Sequence, residues 1–124
     1  YDTTGAFTHV QTISTLPEDF TEFSGGAAIR ISKDGRFLYA SNRGHNSLAV
    51  FAVNDAGAHI ELIQLISTEG DHPRDFALDP SEQLIVCANQ NTDNLSLYER
   101  DSKNGTLTLV QKDVYAPETV CVLF

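Results

Sequence analysis

Ala28-Ile29-Arg30-Ile31-Ser32-Lys33-Asp34-Gly35-Arg36-Phe37-Leu38-Tyr39-Ala40-Ser41-Asn42 returns 47 residues later as Asp75-Phe76-Ala77-Leu78-Asp79-Pro80-Ser81-Glu82-Gln83-Leu84-Ile85-Val86-Cys87-Ala88-Asn89. The same offset sets Asn46 on Asp93, Leu48 on Leu95, Val50 on Leu97, Phe51 on Tyr98, and Ile63-Gln64 on Val110-Gln111. Gly57 and Gly105 are 48 apart, a one-residue difference in turn length. A repeat of about 40–50 residues is either a propeller blade or a pair of packed helices. Each repeat holds four short apolar or alternating runs, and runs of that length, rich in β-branched and aromatic residues, are strands. They are Ala28–Ser32, Phe37–Asn42, Ser47–Val53 and Ile60–Ser67, then Arg74–Leu78, Gln83–Asn89, Asn94–Glu99 and Leu107–Val114.

The punctuation between the runs is turn chemistry. Lys33-Asp34-Gly35, Asn54-Asp55-Ala56-Gly57, Asp79-Pro80-Ser81 and Asp101-Ser102-Lys103-Asn104-Gly105 supply side chains that bond their own backbone and glycines that accept positive φ. No helix of any size is expected beyond one turn within Pro17–Phe23. The fold class is therefore all-β: four-stranded antiparallel meanders, the blades of a β-propeller, at about 27–72 and 73–116. Ala6–Thr15, with Val10-Gln11 matching Ile63-Gln64, reads as the last strand of an earlier blade. Residues 117–124 copy the start of the second repeat and read as a first strand without its blade. A propeller closes with at least about four blades. The missing blades are expected from the rest of a longer chain or from oligomerisation, and the absence of an initial Met points to a cut chain.

Composition narrows the partners. Seventeen acidic residues against eight basic ones give a formal charge of −9, which disfavours nucleic acid and anionic membrane surfaces. No apolar run reaches the length of a membrane span, and the N-terminus does not have the form of a signal peptide. Cys87 and Cys121 both lie in apolar runs and read as buried, reduced thiols of a cytoplasmic protein. G-x-S-x-G, H-E-x-x-H, C-x-x-C, Walker and EF-hand patterns are absent, and no cofactor or metal is expected.

Strand order sorts the loops by face. The turn between second and third strands lies at the same end of a blade as the link to the next blade. That end gathers Arg43, His45, His72 and Arg74 on one rim, near the channel lined by the first strands. Two guanidiniums can grip a phosphate or carboxylate, and an imidazole can move a proton near neutral pH. The competing reading is that Arg43 and Arg74 tie loops together through Asp71, Asp75 or Asp93. Asn42 and Asn89 read as loop-holders, Tyr39, Phe51, Phe76 and Tyr98 as blade core, and His9 and His59 as solvated outer-edge residues without a role.

The stretches Ile31–Gly44, Gly70–Pro80 and Val86–Gln90, with the ending Val120-Cys121-Val122-Leu123-Phe124, resemble the bacterial lactonase family of seven-bladed propellers. Its members include 6-phosphogluconolactonases and a fungal carboxymuconate lactonising enzyme. At this period seven blades need roughly 330 residues, so the chain corresponds to about the last third. The resemblance implies hydrolysis of a phosphosugar lactone in the pentose phosphate pathway, with a small-molecule sugar lactone as partner. It implies that Arg43 binds the anionic group and Arg74 supports the same rim; His45 joins them as a substrate-binding candidate from its place on that rim. The family's catalytic His and Glu fall on earlier blades, outside this sequence, which leaves His72 as the local catalytic candidate. An isolated chain is expected to be inactive. The alternatives are a non-catalytic propeller used as a binding scaffold and a metal-dependent sugar lactonase.

Overall fold

The computed structural model describes residues 3–54 and 57–124. It contains two four-stranded antiparallel sheets with strands in consecutive order. The first is β1 (Gly25–Ile31), β2 (Phe37–Arg43), β3 (Ser47–Asn54) and β4 (His59–Ser67); the second is β5 (Pro73–Leu78), β6 (Leu84–Asn89), β7 (Asn94–Arg100) and β8 (Leu107–Tyr115). All eight expected strands are present, and a single turn closes within Pro17–Phe23, from Phe20 N to Pro17 O at 3.2 Å, while a short 3-10 helix at Gln90–Thr92 was not expected. The expected turn at Asn54–Gly57 includes Asp55 and Ala56, which lie outside the described residues, as do Tyr1 and Asp2.

Sequence explains which strands sit in the middle. β3 is buried along Ser47–Phe51, so it carries a continuous apolar run. β4 has one side on the core and the other in solvent, and it alternates, with His59, Glu61 and Ile63 outward. The main core lies between the two sheets: Tyr39, Leu48, Val50 and Phe37 of one face Phe76, Ile85, Cys87 and Tyr98 of the other. Tyr39, Phe51, Phe76 and Tyr98 are all at most 1% exposed, as core residues should be. Buried Tyr39 donates its hydroxyl proton to Gly105 O (2.9 Å) and accepts from Arg100 Nε (2.7 Å), which satisfies a phenol that burial would otherwise penalise.

Two expectations are corrected. Residues 6–15 and 117–124 are not strands, although they lie where flanking strands would. A strand is defined by its ladder, and among the described residues neither segment forms one with a sibling strand of an outer blade. Residues 6–15 still cover the far face of the first sheet, with Ile13 packed on Ala40, Ala49 and Phe51. The tail is fixed where Val122 N donates to Asp75 Oδ2 at 2.9 Å. Cys121, in that unpaired tail, is exposed rather than buried; Cys87 is buried, and both thiols are free.

Candidate active site at the channel rim

Both inner strands begin with an irregularity, and it aims the side chains of the site. In β5 the register passes from Pro73↔Asn89 to Asp75↔Ala88, which leaves Arg74 as an extra residue without a partner opposite. In β1 it passes from Gly26↔Asn42 to Ile29↔Ala40, so Ala27 and Ala28 bulge in the same way. Bulges redirect side chains and cluster beside active sites. Ser41 Oγ accepts the N–H of Ala28 (3.0 Å), so this bulge leaves that donor satisfied. Ala27 and Arg74 are 47 residues apart and occupy the same place in successive blades.

Gly26, Ala27, Arg43 and Arg74 together line a cleft of about 230 Å³. Arg43 ends β2 and pairs in register with Gly25, so its side chain crosses the start of β1. Its Nη2 donates to Gly26 O at 3.0 Å, while its Nε is buried without a partner. The next residue must be glycine: Gly44 has φ +103°, and a Cβ there would collide with the carbonyl oxygen of Phe23. Arg74 is exposed and makes no hydrogen bond or ion pair among the described residues. The reading in which these arginines tie loops through carboxylates fails. Asp71 bonds Asn46 and Asn91, Asp75 pairs with Arg30, and Asp93 accepts from Glu118 N. Two guanidiniums therefore face one cleft, and among the described residues no carboxylate neutralises either.

The two histidines take other positions. His45 does not line the cleft: its Nδ1 lies 2.7 Å from Ser47 Oγ, and its ring meets Phe20 edge-on at 4.8 Å. His72 does not line it either, but it sits in the link that leads into Arg74. It adopts φ +63° immediately before Pro73, with its N–H held by Asn46 Oδ1 at 3.0 Å and its C=O by Gln90 N at 3.1 Å. Its imidazole makes no hydrogen bond among the described residues. A non-glycine residue at positive φ ahead of a proline is held there by its surroundings. The holder is a network: Asp71 accepts from Asn46 Nδ2 and Asn91 Nδ2, both at 2.8 Å, and those bonds keep its carboxyl below the usual range. Asn42 and Asn89 are loop-holders, bonding Thr15 O and Thr68 O at 2.8 Å each.

One polar element was not foreseen. Arg30 of β1 reaches Asp75 of β5 at 2.8 Å, and Asp75 also takes the tail N–H of Val122. A single buried carboxylate thus links the inner strands of both sheets and the C-terminal segment. The available signal was a lone Asp in an apolar inner strand, opposite Ala28 in the repeat. Among the described residues no group of three or more His, Cys, Asp or Glu could hold a metal ion. A wider groove of about 360 Å³ between residues 8–11 and 57–60 includes His9 and His59 but no arginine.

Consecutive four-stranded sheets stacked face to face, with Arg43 from the end of β2 and Arg74 from the start of β5 brought to one cleft, define a segment of a β-propeller with a candidate anion site. The family model that matches residues 1–124 is that of lactonase, a seven-bladed β-propeller, and the chain belongs to this family. It is similar to a 6-phosphogluconolactonase of Bacillus subtilis, 48% identical over 122 residues that make up 98% of this chain and 35% of that protein. A crystal structure of a Lactobacillus plantarum protein superposes with a TM-score of 0.95 at 61% identity, over 98% of this chain and 36% of that one. The Pseudomonas aeruginosa periplasmic gluconolactonase superposes with a TM-score of 0.78 at 36% identity, covering 83% of this chain and 29% of its own. The chain spans about a third of the length of the relatives it matches.

Proposed function

We propose that this chain forms part of a lactone hydrolase acting on a phosphorylated sugar lactone, the 6-phosphogluconolactone of the pentose phosphate pathway, in the cytoplasm. The observation that carries the reading is the cleft in which Arg43 and Arg74 stand without a carboxylate partner among the described residues. The family and the named Bacillus relative support the reaction type. In this reading Arg74, free of other bonds, grips the phosphate, and Arg43, braced on Gly26 O, offers its remaining donors to the same group. Hydrolysis adds a water oxygen to the lactone carbonyl carbon and breaks the ring C–O bond. One proton of the water leaves to a base, and the ring oxygen gains a proton as it becomes a hydroxyl. His72 is the candidate base in this chain. The remaining blades supply the rest of the pocket, and the isolated chain is inactive.

The test is substrate preference in a ring-length protein that carries these residues. Loss of a charge-assisted contact costs about 1.5–3 kcal/mol, roughly 10–100-fold in binding. Arg74→Ala should therefore raise KM for the phosphorylated lactone by that factor and leave unphosphorylated gluconolactone nearly unaffected. Equal turnover of both lactones by the unsubstituted protein, unchanged in Arg74→Ala, would remove the phosphate assignment. The likeness to a gluconolactonase makes the unphosphorylated lactone the specific competitor.

A further inference from the structure

An aliphatic residue followed by glutamine occurs three times: Val10-Gln11, Ile63-Gln64 and Val110-Gln111. In β4 the register passes from Val50↔Gln64 to Phe51↔Leu62, so Ile63 has no partner opposite and Gln64 is turned toward the neighbouring sheet. Gln64 Nε2 donates to Leu107 O at 2.8 Å, and Leu107 N donates to Gln64 Oε1 at 2.7 Å. One side-chain amide thereby takes both main-chain groups of the residue that opens β8. Gln11 does the same to Ile60, near the start of β4, at 2.9 and 2.8 Å. Thr15 and Thr68 follow four residues after these glutamines, and each passes its carbonyl to the asparagine of the next sheet. The clamp has the same form both times: a glutamine on the segment that flanks a sheet or on its outer strand, and an aliphatic residue at or next to the opening of the outer strand of the following sheet.

The third copy has its glutamine in place and no receiver among the described residues. Its bulge repeats that of β4, with Leu97↔Gln111 followed by Tyr98↔Leu109, so Val110 is the extra residue and stands 52% exposed. The Gln111 side chain is exposed and makes no hydrogen bond among the described residues.

We propose that Gln111 is the clamp for the blade that follows in the ring, and that its partner is the main-chain N–H and C=O of an aliphatic residue opening that blade's outer strand. A side-chain amide presents an N–H donor and a C=O acceptor side by side, and an extended residue free of its ladder on that edge offers the complementary pair. The relatives are about three times as long as this chain and the family has seven blades, so a following blade is the occupant that continues the series.

The test compares Gln64→Ala and Gln111→Ala in the 124-residue chain and in a ring-length chain carrying the other blades. Gln64→Ala should lower the folding equilibrium constant about tenfold in both settings, since two main-chain groups lose their partner. Gln111→Ala should do so only in the ring-length chain, where the Nε2 protons of Gln111 should also exchange slowly with solvent. A ring-length chain in which Gln111→Ala is neutral and that amide exchanges freely overturns the assignment, whether or not the short chain folds alone. Slow exchange at Gln111 that appears only as the short chain dimerises assigns the surface to a second copy and overturns it equally.

Discussion

Replacing His72 separates strain from chemistry. The residue is held at φ +63° before Pro73, a conformation that costs an L-residue about 1–2 kcal/mol. Glycine adopts it freely but gives back about 0.5–1 kcal/mol through the greater freedom of its unfolded chain. The Asn46 Oδ1 and Gln90 N bonds involve only the backbone of residue 72, so they survive either substitution. His72→Gly should therefore stabilise the protein by about 0.5–1 kcal/mol, a melting temperature higher by about 2–4 °C for a chain of this size. His72→Ala keeps the strain, since alanine tolerates positive φ no better than histidine, and should melt below His72→Gly. Calorimetry reads the stabilities, and lactone hydrolysis in a ring-length protein reads the chemistry. If the imidazole acts as base, both variants lose turnover by about 100-fold or more while their stabilities diverge. An alanine variant as stable as the glycine variant would refute the strain argument; full turnover in either would refute the role.

Three further outcomes follow from packing and charge. Gly105→Ala should destabilise by at least about 2 kcal/mol in chemical denaturation, because a Cβ there drives into the Phe37 ring and φ is +78°. Cys121 should react with a thiol reagent in the folded protein while Cys87 waits for unfolding, since burial pushes its thiol up to about 12; equal rates for the two would contradict the core. Hydrogen bonds from Ser32 to Asp34, from Asn91 to Asp71 and from Ser81 to Asp79 hold these carboxyls below their unfolded values. A depressed folded pKa contributes stability above the unfolded value and loses it as pH falls through the folded one. The melting temperature should accordingly be level from about pH 7 to 5 and decline below about pH 4, and a flat profile down to about pH 2 would count against these bonds.

Strand placement was legible because it is written twice. The 47-residue offset set Asn42 on Asn89, and those two asparagines make the same bond to the preceding segment. Turn chemistry and alternation then located all eight strands, with boundaries moved by a few residues at β1 and by one or none elsewhere. What escaped the reading depends on contacts between elements. The inner-strand bulges cannot be seen in a pattern whose period is two, because an extra residue shows only against its partner strand. His45 stood on the expected rim, yet its ring turns to Phe20, a packing choice that the Gly44-His45-Asn46 loop does not announce. Residues 6–15 and 117–124 carry strand-like patterns, but among the described residues neither segment forms a strand ladder. The placement of Arg43 and Arg74 on one cleft followed from topology, because strand order already put both at one end of the sheets.

The bulge at the head of each inner strand separates what a blade is from what it does. The residue that it turns outward, Ala27 in one sheet and Arg74 in the other, belongs to no ladder pair and is exposed, so its identity is free to vary. The first blade seats an alanine there and the second an arginine, on otherwise parallel architecture. A seven-bladed relative that repeats this arrangement would offer seven such seats around one mouth. New substrate preferences could then arise by changing the occupants singly, without re-engineering the scaffold that carries them.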